Sequence, residues 1–523
     1  MYTLGSSKFV KKYISYIVLG LKTFNLLRNA AWGFEPDCAK IPKTQAHRDP
    51  AAGDTVFRAI FTNSFGILFS RILGFGRDLL TASVLGANIY SDIFFIAFKL
   101  PNLFRRIFAE GAFTQSFLPA FTRSKHKAVF SVHIFLVFLG FILLMTLAVN
   151  LFPAAAAKLI ALGFDAQTVQ TAAPYVAINF FYLPLIFAVT FLSTFLQYKN
   201  HFATTAFATG LLNIALIVAL LLSRDRAPET VVLYLSYGVV LGGFAQLFAH
   251  LLAIRGLHLH RLLIGGVRYY ARKSRRIREE TRRFTREFFP AVWGNSTAQV
   301  AAFLDTWLAS FLTAGVISYL YYANRVFQLP LALFAIATSI ALFPKIARHL
   351  KHDDEAKARA MLARAFWFLL YLLGFSAIGG IVLAPEITRL LFQRGAFTAA
   401  DTADTALILQ MYLVGLVPFG LNKLFSLWLY AQRRQGEAAR IATWSLGTNV
   451  LFSLALIYPL GGAGLAVSTS LSGIIAFVQT LRAVGRAHVS DIIRPKNGFQ
   501  WMLASVLFTF AVIAFKELLH AYF

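Results

Sequence analysis

Between Asn63 and Arg123 an otherwise apolar stretch carries Arg71, Arg77, Asp78, Asp92, Lys99, Arg105, Arg106 and Glu110. It reads as two hydrophobic helices of membrane-spanning length, joined by a short polar turn near Gly86-Ala87-Asn88. A charge at mid-bilayer depth costs about 2.5–3.5 kcal/mol, whereas each Leu, Ile, Phe or Val returns only about 0.3–0.6. Several such residues in one hairpin cannot face lipid. They must face each other, a neighbouring helix or a wet cavity. The chemistry this predicts is a polar, mostly cationic cavity inside a helical bundle, suited to an anion.

Spacing sorts these residues into faces. Arg71 and Asp78 are seven apart and share nearly one helix face, while Arg77 is expected to point elsewhere. Asp92, Lys99 and Arg106 repeat the interval on the second helix with Asn88 on the same side, and Pro101 is expected to bend that helix. Asp78 and Asp92 read as structural groups that neutralise nearby cations, because buried charges need partners. Glu110 and Asp305 are grouped with them as charge partners. Arg71 and Arg77 read as functional, the default for intramembrane arginine. Farther along, Arg325 lies in YYANRVFQLP and Lys423 in VPFGLNKLFSLWLY. A snorkelling role for Lys423 stays open.

The elements that must hold these residues are apolar helices. Hydrophobic residues make up 58% of 523, and mean hydropathy is +0.64, which excludes a soluble class. Continuous rather than alternating apolar runs argue against a β-barrel. Thirteen spans are expected near 57–80, 84–108, 129–152, 171–196, 203–223, 230–254, 288–313, 316–343, 362–385, 404–430, 439–458, 463–482 and 499–518. Basic loops near 121–128, 255–286, 345–364, 432–440 and 482–496 alternate with poorly charged ones. The first span is therefore expected to start on the cytoplasmic side. The net charge of +27 follows from these loops and does not call for nucleic acid. Cys38, the single cysteine, excludes an internal disulfide and a cysteine-based metal cluster.

Organisation follows from the same pattern. Residues 1–55 form an N-terminal extension with four competing readings: an amphipathic surface helix, a weak extra span, an uncleaved signal or an upstream start codon. The first is favoured. Lys99-Leu100-Pro101 with Phe117-Leu118-Pro119 resembles Gln328-Leu329-Pro330 with Leu342-Phe343-Pro344. Each set occupies the second span of a six-span block, so both blocks share one orientation, as in parallel-repeat transporters. The expected fold is an all-α polytopic membrane protein: two six-helix lobes in parallel pseudo-repeat around a central cationic cavity, plus at least one C-terminal span. The lobes are 56–256 and 288–485. A basic cytoplasmic inter-lobe loop, 257–287, joins them, and 486–523 holds the last span. The basic loop sets topology and also attracts anionic lipid headgroups.

FSRILGFGRD, SDIFFIAFKLPNLFRRIFAEGAFTQSFLPAF and YYANRVFQLP resemble the MurJ (MviN) family of bacterial lipid II flippases, part of the multidrug/oligosaccharidyl-lipid/polysaccharide exporter superfamily. The resemblance runs from about Val56 to about Arg494. It implies a multi-pass protein of the bacterial cytoplasmic membrane that moves lipid II from the inner to the outer leaflet by alternating access. It also implies that Arg71, Arg77, Arg105 and Arg325 line the cavity with Ser70 and Ser318 beside them, and that Lys423 has a counterpart. Gln328 and Asn324 are amides where some members carry acids, which removes negative charge near Arg325. The family usually has fourteen spans against the thirteen expected here.

The competing functions are a flippase for another polyprenyl-diphosphate saccharide and a drug or cation exporter of the same superfamily. An enzyme is disfavoured, with no HExxH, P-loop or dinucleotide turn in the sequence. No cofactor or metal is expected. Arginine stays charged at any working pH, and its planar fork grips phosphate in a bidentate way, so arginines from both lobes suit a diphosphate.

Overall fold

The computed structural model describes residues 50–106, 112–492 and 495–522, in which helices and short turns account for all regular structure and no strand occurs. The N-terminal residues 1–49, for which an amphipathic helix is expected, and Glu110 lie outside the described residues.

The charged hairpin is α1 (Pro50–Leu85) and α2 (Ile89–Phe104). It is followed by α3 (Ala112–Arg123), α4 (Lys127–Leu151), α5 (Pro153–Ile160), α6 (Ala166–Phe180), α7 (Tyr182–Tyr198), α8 (Ala203–Ser223) and α9 (Pro228–Gly256). Next come α10 (His260–Lys273), α11 (Arg278–Ala309), α12 (Val316–Pro330), α13 (Ala337–Lys351), α14 (Glu355–Val382), α15 (Ala384–Phe392), α16 (Ala399–Val414) and α17 (Leu416–Ala431). The last are α18 (Gln435–Val484), α19 (Arg486–Ile492) and α20 (Pro495–Tyr522). Among the described residues nine helical stretches are long and apolar enough to cross a membrane. One of them, α18, breaks at Gly461, whose φ of +55° no helix can hold, and so supplies two of the expected spans.

The two halves of the chain repeat their irregularities in the same order. Pro101 in α2 is followed by a π-type turn at 105–106, and Pro330 ends α12 just before a π-type turn at Leu331–Ile336. In each half the proline and the widened turn stand close together along the same span. The third span of each half leads into a short helix with proline in its first turn, α5 after α4 and α15 after α14. The fourth is broken in the middle, between α6 and α7 at Phe181 and between α16 and α17 at Gly415.

Packing follows the halves. In the first, α2 lies against α6 and α9, and α9 also covers α7 and α8. In the second, α12 lies against α16, and α18 against α16 and α17. An aromatic core fills the first half. Phe113 and Phe117 of α3 stack at 5.1 Å between centroids, and around them lie Phe130 and Phe138 of α4 and Phe187, Phe191 and Phe195 of α7. Such pairs each contribute about 0.5–1.5 kcal/mol beyond area burial.

That core corrects the expected loop at 257–287. Most of the interval is helix, α10 and the beginning of α11, and Phe284 and Phe288 of α11 are buried against Phe113 and Phe138. The two phenylalanines stand four apart on one helix face, and the surrounding arginines obscured that apolar signal. The other end of α11 packs on α18, so this helix belongs to both halves.

Where the α1–α2 turn meets the α15–α16 loop, backbone touches backbone: Ala396 N–H donates to the Ser83 carbonyl at 2.8 Å. Gly86 and Gly395 make this possible, each at positive φ, and a Cβ on Gly395 would sit 2.2 Å from the Ser83 oxygen. Gly395→Ala is therefore expected to cost more than about 1 kcal/mol. Thermal melting of the purified protein checks this, and an unchanged midpoint would refute it.

Candidate anion site and inter-helix contacts

α1, α8 and α12 bring one charged cluster together. Arg77 is 8% exposed and Asp78 2%, so neither reaches bulk solvent. The Arg77 guanidinium grips Asp78 Oδ1 through Nε at 3.1 Å and through Nη2. Its Nη1 donates to Asn213 Oδ1 on α8 at 3.2 Å, and Asn213 Nδ2 donates back to the Ser70 carbonyl at 3.1 Å. From α12, Arg325 Nε lies 2.9 Å from Asp78 Oδ2, an ion pair not aimed along a hydrogen bond. Two cations therefore share one carboxylate, and one positive charge is left over. The expectation that Arg77 points away from Asp78 is corrected. Neighbouring residues diverge by about 100° on a helix, but an arginine stem is long enough to fold back.

Tyr321, which spacing did not single out, joins the three. Its Oη accepts from Arg77 Nη2 at 2.9 Å and from Arg325 Nη2 at 2.7 Å, and donates to Asp78 Oδ1 at 2.9 Å. Its ring lies 4.0 Å from that of Phe95 on α2, and the Arg325 guanidinium stands 4.8 Å over it. The available signal was local: Tyr321 is one turn before Arg325.

Asp92 is a second corrected expectation, since among the described residues it pairs with no cation. It is 1% exposed, and its carboxylate accepts from Gly315 N–H at 2.7 Å, Ser318 N–H at 2.8 Å and Ser318 Oγ at 2.6 Å. The side chain of one helix thus caps another, meeting the positive end of the α12 dipole. Ser318 is fully buried, with its Oγ also 2.7 Å from Ser91 Oγ, so its hydroxyl serves this cap rather than an open cavity. Beside it Tyr319 donates to Asp401 of α16 at 2.8 Å.

Of the other expected residues only Ser70 is tied to this cluster, through its carbonyl and Asn213. Arg71 and Lys423 are exposed, Ser70 and Arg105 are half-buried, and Arg106 donates to Gln299 of α11 at 3.4 Å. Lys99 donates to Thr306 and interacts electrostatically with its neighbour Asp305. Asp305 Oδ2 in turn accepts from Thr469 of α18 at 3.5 Å.

A bundle of apolar helices with charged contacts between the two halves of the chain defines a multi-pass membrane protein. A solved structure described as lipid II flippase MurJ in an inward closed conformation superposes with a TM-score of 0.72 at 26% identity, covering 86% of this chain and 91% of that one. An inward-facing multidrug transporter of the MATE family and MOP superfamily shares the fold, with a TM-score of 0.58 at 14% identity over 83% of this chain and 98% of its own.

The family profile described as lipid II flippase MurJ matches residues 81–522. A Helicobacter pylori strain J99 protein named probable lipid II flippase MurJ is 49% identical over 449 residues, 83% of this chain and 97% of that protein. A counterpart in Buchnera aphidicola from Acyrthosiphon pisum is 30% identical over 470 residues, 88% of this chain and 89% of its own. The chain belongs to the lipid II flippase MurJ family. It is a multi-pass inner-membrane transporter and not an enzyme.

Proposed function

We infer that this chain carries lipid II from the inner to the outer leaflet by alternating access, and that its head group meets the Arg77–Asp78–Arg325 cluster. The pairing of Arg77 and Arg325 from opposite halves of the chain around a single carboxylate carries this reading. A diphosphate supplies the anionic oxygens that two guanidinium forks can grip, and the surplus positive charge favours its entry. The halves, 56–256 and 288–485, act as two lobes that rock about the cluster, with the first span starting on the cytoplasmic side. In that orientation the Asp92 cap and the Ser83–Ala396 contact close the outer side, and Arg71, Arg105, Ser70 and Lys423 line the path of the head group.

The test uses a bacterium whose own flippase can be switched off, with an externally added enzyme that cleaves lipid II. Restored cleavage supports the reading. A well-expressed, correctly inserted chain that restores none overturns it.

Anionic lipid is a second partner, bound through α10. Arg261, Arg268 and Arg272 form one exposed stripe, flanked by Ile264 and Val267 at 62% and 66% exposure. The opposite side is held on α4 through Gly266, where a Cβ would lie 2.3 Å from the Ala128 carbonyl oxygen. An arginine stripe beside an apolar edge suits a negatively charged leaflet, with about 1 kcal/mol per basic residue. Replacing the three arginines with glutamine is expected to weaken the association by about 3 kcal/mol. Anionic lipid retained on the purified protein, read by native mass spectrometry, should fall sharply, and equal retention would refute the role.

A further inference from the structure

Tyr321 stands at the cluster without contributing charge, and its geometry is saturated. A tyrosine hydroxyl has one hydrogen to donate and two lone pairs to accept with. Here the hydrogen goes to Asp78 Oδ1 at 2.9 Å, and the lone pairs take Arg77 Nη2 at 2.9 Å and Arg325 Nη2 at 2.7 Å. One oxygen thereby sets the separation of two like charges, one on α1 and one on α12, that would otherwise repel. The ring cannot slide away. It is stacked 4.0 Å from Phe95 with 22° between planes, and it carries the Arg325 guanidinium on its face.

We propose that Tyr321 is a positioning residue for diphosphate recognition: its hydroxyl holds the Arg77 and Arg325 guanidinium groups converged on one point, which the Asp78 carboxylate occupies until an incoming diphosphate takes its place. This rests on the flippase reading for the source of the diphosphate, but the anion chemistry stands independently of it. Two observations support the exchange. Asp78 already uses both oxygens on the two arginines, Oδ1 on Arg77 and Oδ2 near Arg325, so the carboxylate sits where an anion would bind. The Arg325 side chain is 37% accessible against 3% for Asp78, so an anion reaches the pair from the Arg325 side. Asp78 is thus a built-in competitor. The protein stays charge-compensated while empty, and exchange frees both guanidinium groups from Asp78, whose carboxylate keeps the Tyr321 hydroxyl as its donor. No covalent bond forms or breaks.

The proposal assigns opposite signs to two substitutions, which a merely structural role would not do. Tyr321→Phe keeps the ring, the stack on Phe95 and the cation–π contact, and removes only the hydroxyl. Hydrogen bonds to charged groups are each worth enough that its loss should weaken anion binding about tenfold or more. Asp78→Asn removes the competing charge and should tighten it by a similar factor. The full-length protein in detergent is titrated with inorganic diphosphate by calorimetry, and inorganic sulfate at equal ionic strength serves as control.

The inference stands if wild type binds diphosphate in preference to sulfate, Tyr321→Phe binds about tenfold more weakly and Asp78→Asn binds more tightly. It falls if Tyr321→Phe binds like wild type, if Asp78→Asn weakens binding as Tyr321→Phe does, or if wild type binds no diphosphate. Lipid II exposure in the depleted strain is measured on the same variants. Diphosphate binding with the predicted signs but no exposure of lipid II by wild type would keep the anion site and remove the flippase reading. Normal exposure by wild type and Tyr321→Phe alike, with equal diphosphate affinity, would do the reverse.

Discussion

Arg325→Ala is expected to lower the lipid II reaching the outer leaflet more than tenfold while leaving a folded, inserted protein. Removing this side chain turns a cluster of two cations and one carboxylate into a neutral pair, Arg77 with Asp78, and the surplus positive charge that would attract a diphosphate disappears. It also removes the cation that α12 presents. A charge-assisted hydrogen bond is worth about 1.5–3 kcal/mol, which is roughly a tenfold to hundredfold effect. Arg325→Lys should recover only part of the loss, because an ammonium keeps the charge but lacks the planar fork that spans Asp78 and Tyr321. Cleavage of surface lipid II in the flippase-depleted strain reads both variants, with immunoblotting of the membrane fraction as the folding control. Wild-type exposure from Arg325→Ala at normal expression would remove Arg325 from the transport path.

Asp92→Ala is expected to destabilise the protein by on the order of 3 kcal/mol, because three donors lose their acceptor in a place water does not reach. Those donors are the Gly315 and Ser318 amides and the Ser318 hydroxyl. Gly315, the residue at the start of α12, contributes no side-chain cap of its own that could take over from the carboxylate. Asp92→Asn keeps one acceptor oxygen and should lose clearly less. Thermal melting in detergent ranks the three proteins, and hydrogen exchange at residues 315–318 locates the damage. If the alanine variant melts like wild type and those amides stay protected, the trans-cap contributes nothing to the α2–α12 contact. If the cap also holds the outer side shut, Asp92→Ala should shift the resting population towards the outward-open state. Increased labelling by an externally added thiol reagent at a cysteine substituted for Ser91 would report that shift.

Legibility in the sequence divides along local and non-local lines. The helical class and the approximate positions of the apolar segments follow from hydropathy alone, because in lipid each segment must satisfy its own backbone and expose apolar side chains. The repeat was visible at Lys99-Leu100-Pro101 and Gln328-Leu329-Pro330, since proline leaves a mark in the sequence wherever it alters a helix. The short helices α5 and α15 carry the same mark, Pro153 and Pro385, and Pro184 and Pro418 follow the breaks at Phe181 and Gly415. That these features correspond between the halves became legible only with the order of the helices in the fold. Arginine in an apolar helix announced a partner at Arg77 and at Arg325, because an unpaired charge there is too costly to keep.

The sequence alone therefore determined that these charges must be compensated, and with what kind of chemistry. Tertiary structure alone decided by whom. Spacing along one helix reports the direction of a side chain but not what lies opposite it, so Asp92 was read as a counter-ion and proved to be a cap on the backbone of α12. Tyr321, 243 residues from Asp78 along the chain, could be joined to it only by the fold. Phe284 and Phe288 sat in a run of arginines that read as loop, until the aromatic core of α3, α4 and α7 supplied the surface they bury. The physical reason is common to all three. Desolvation cost is a property of one residue and is written in its identity. Its repayment is a property of a pair, and the chain must fold before the pair exists.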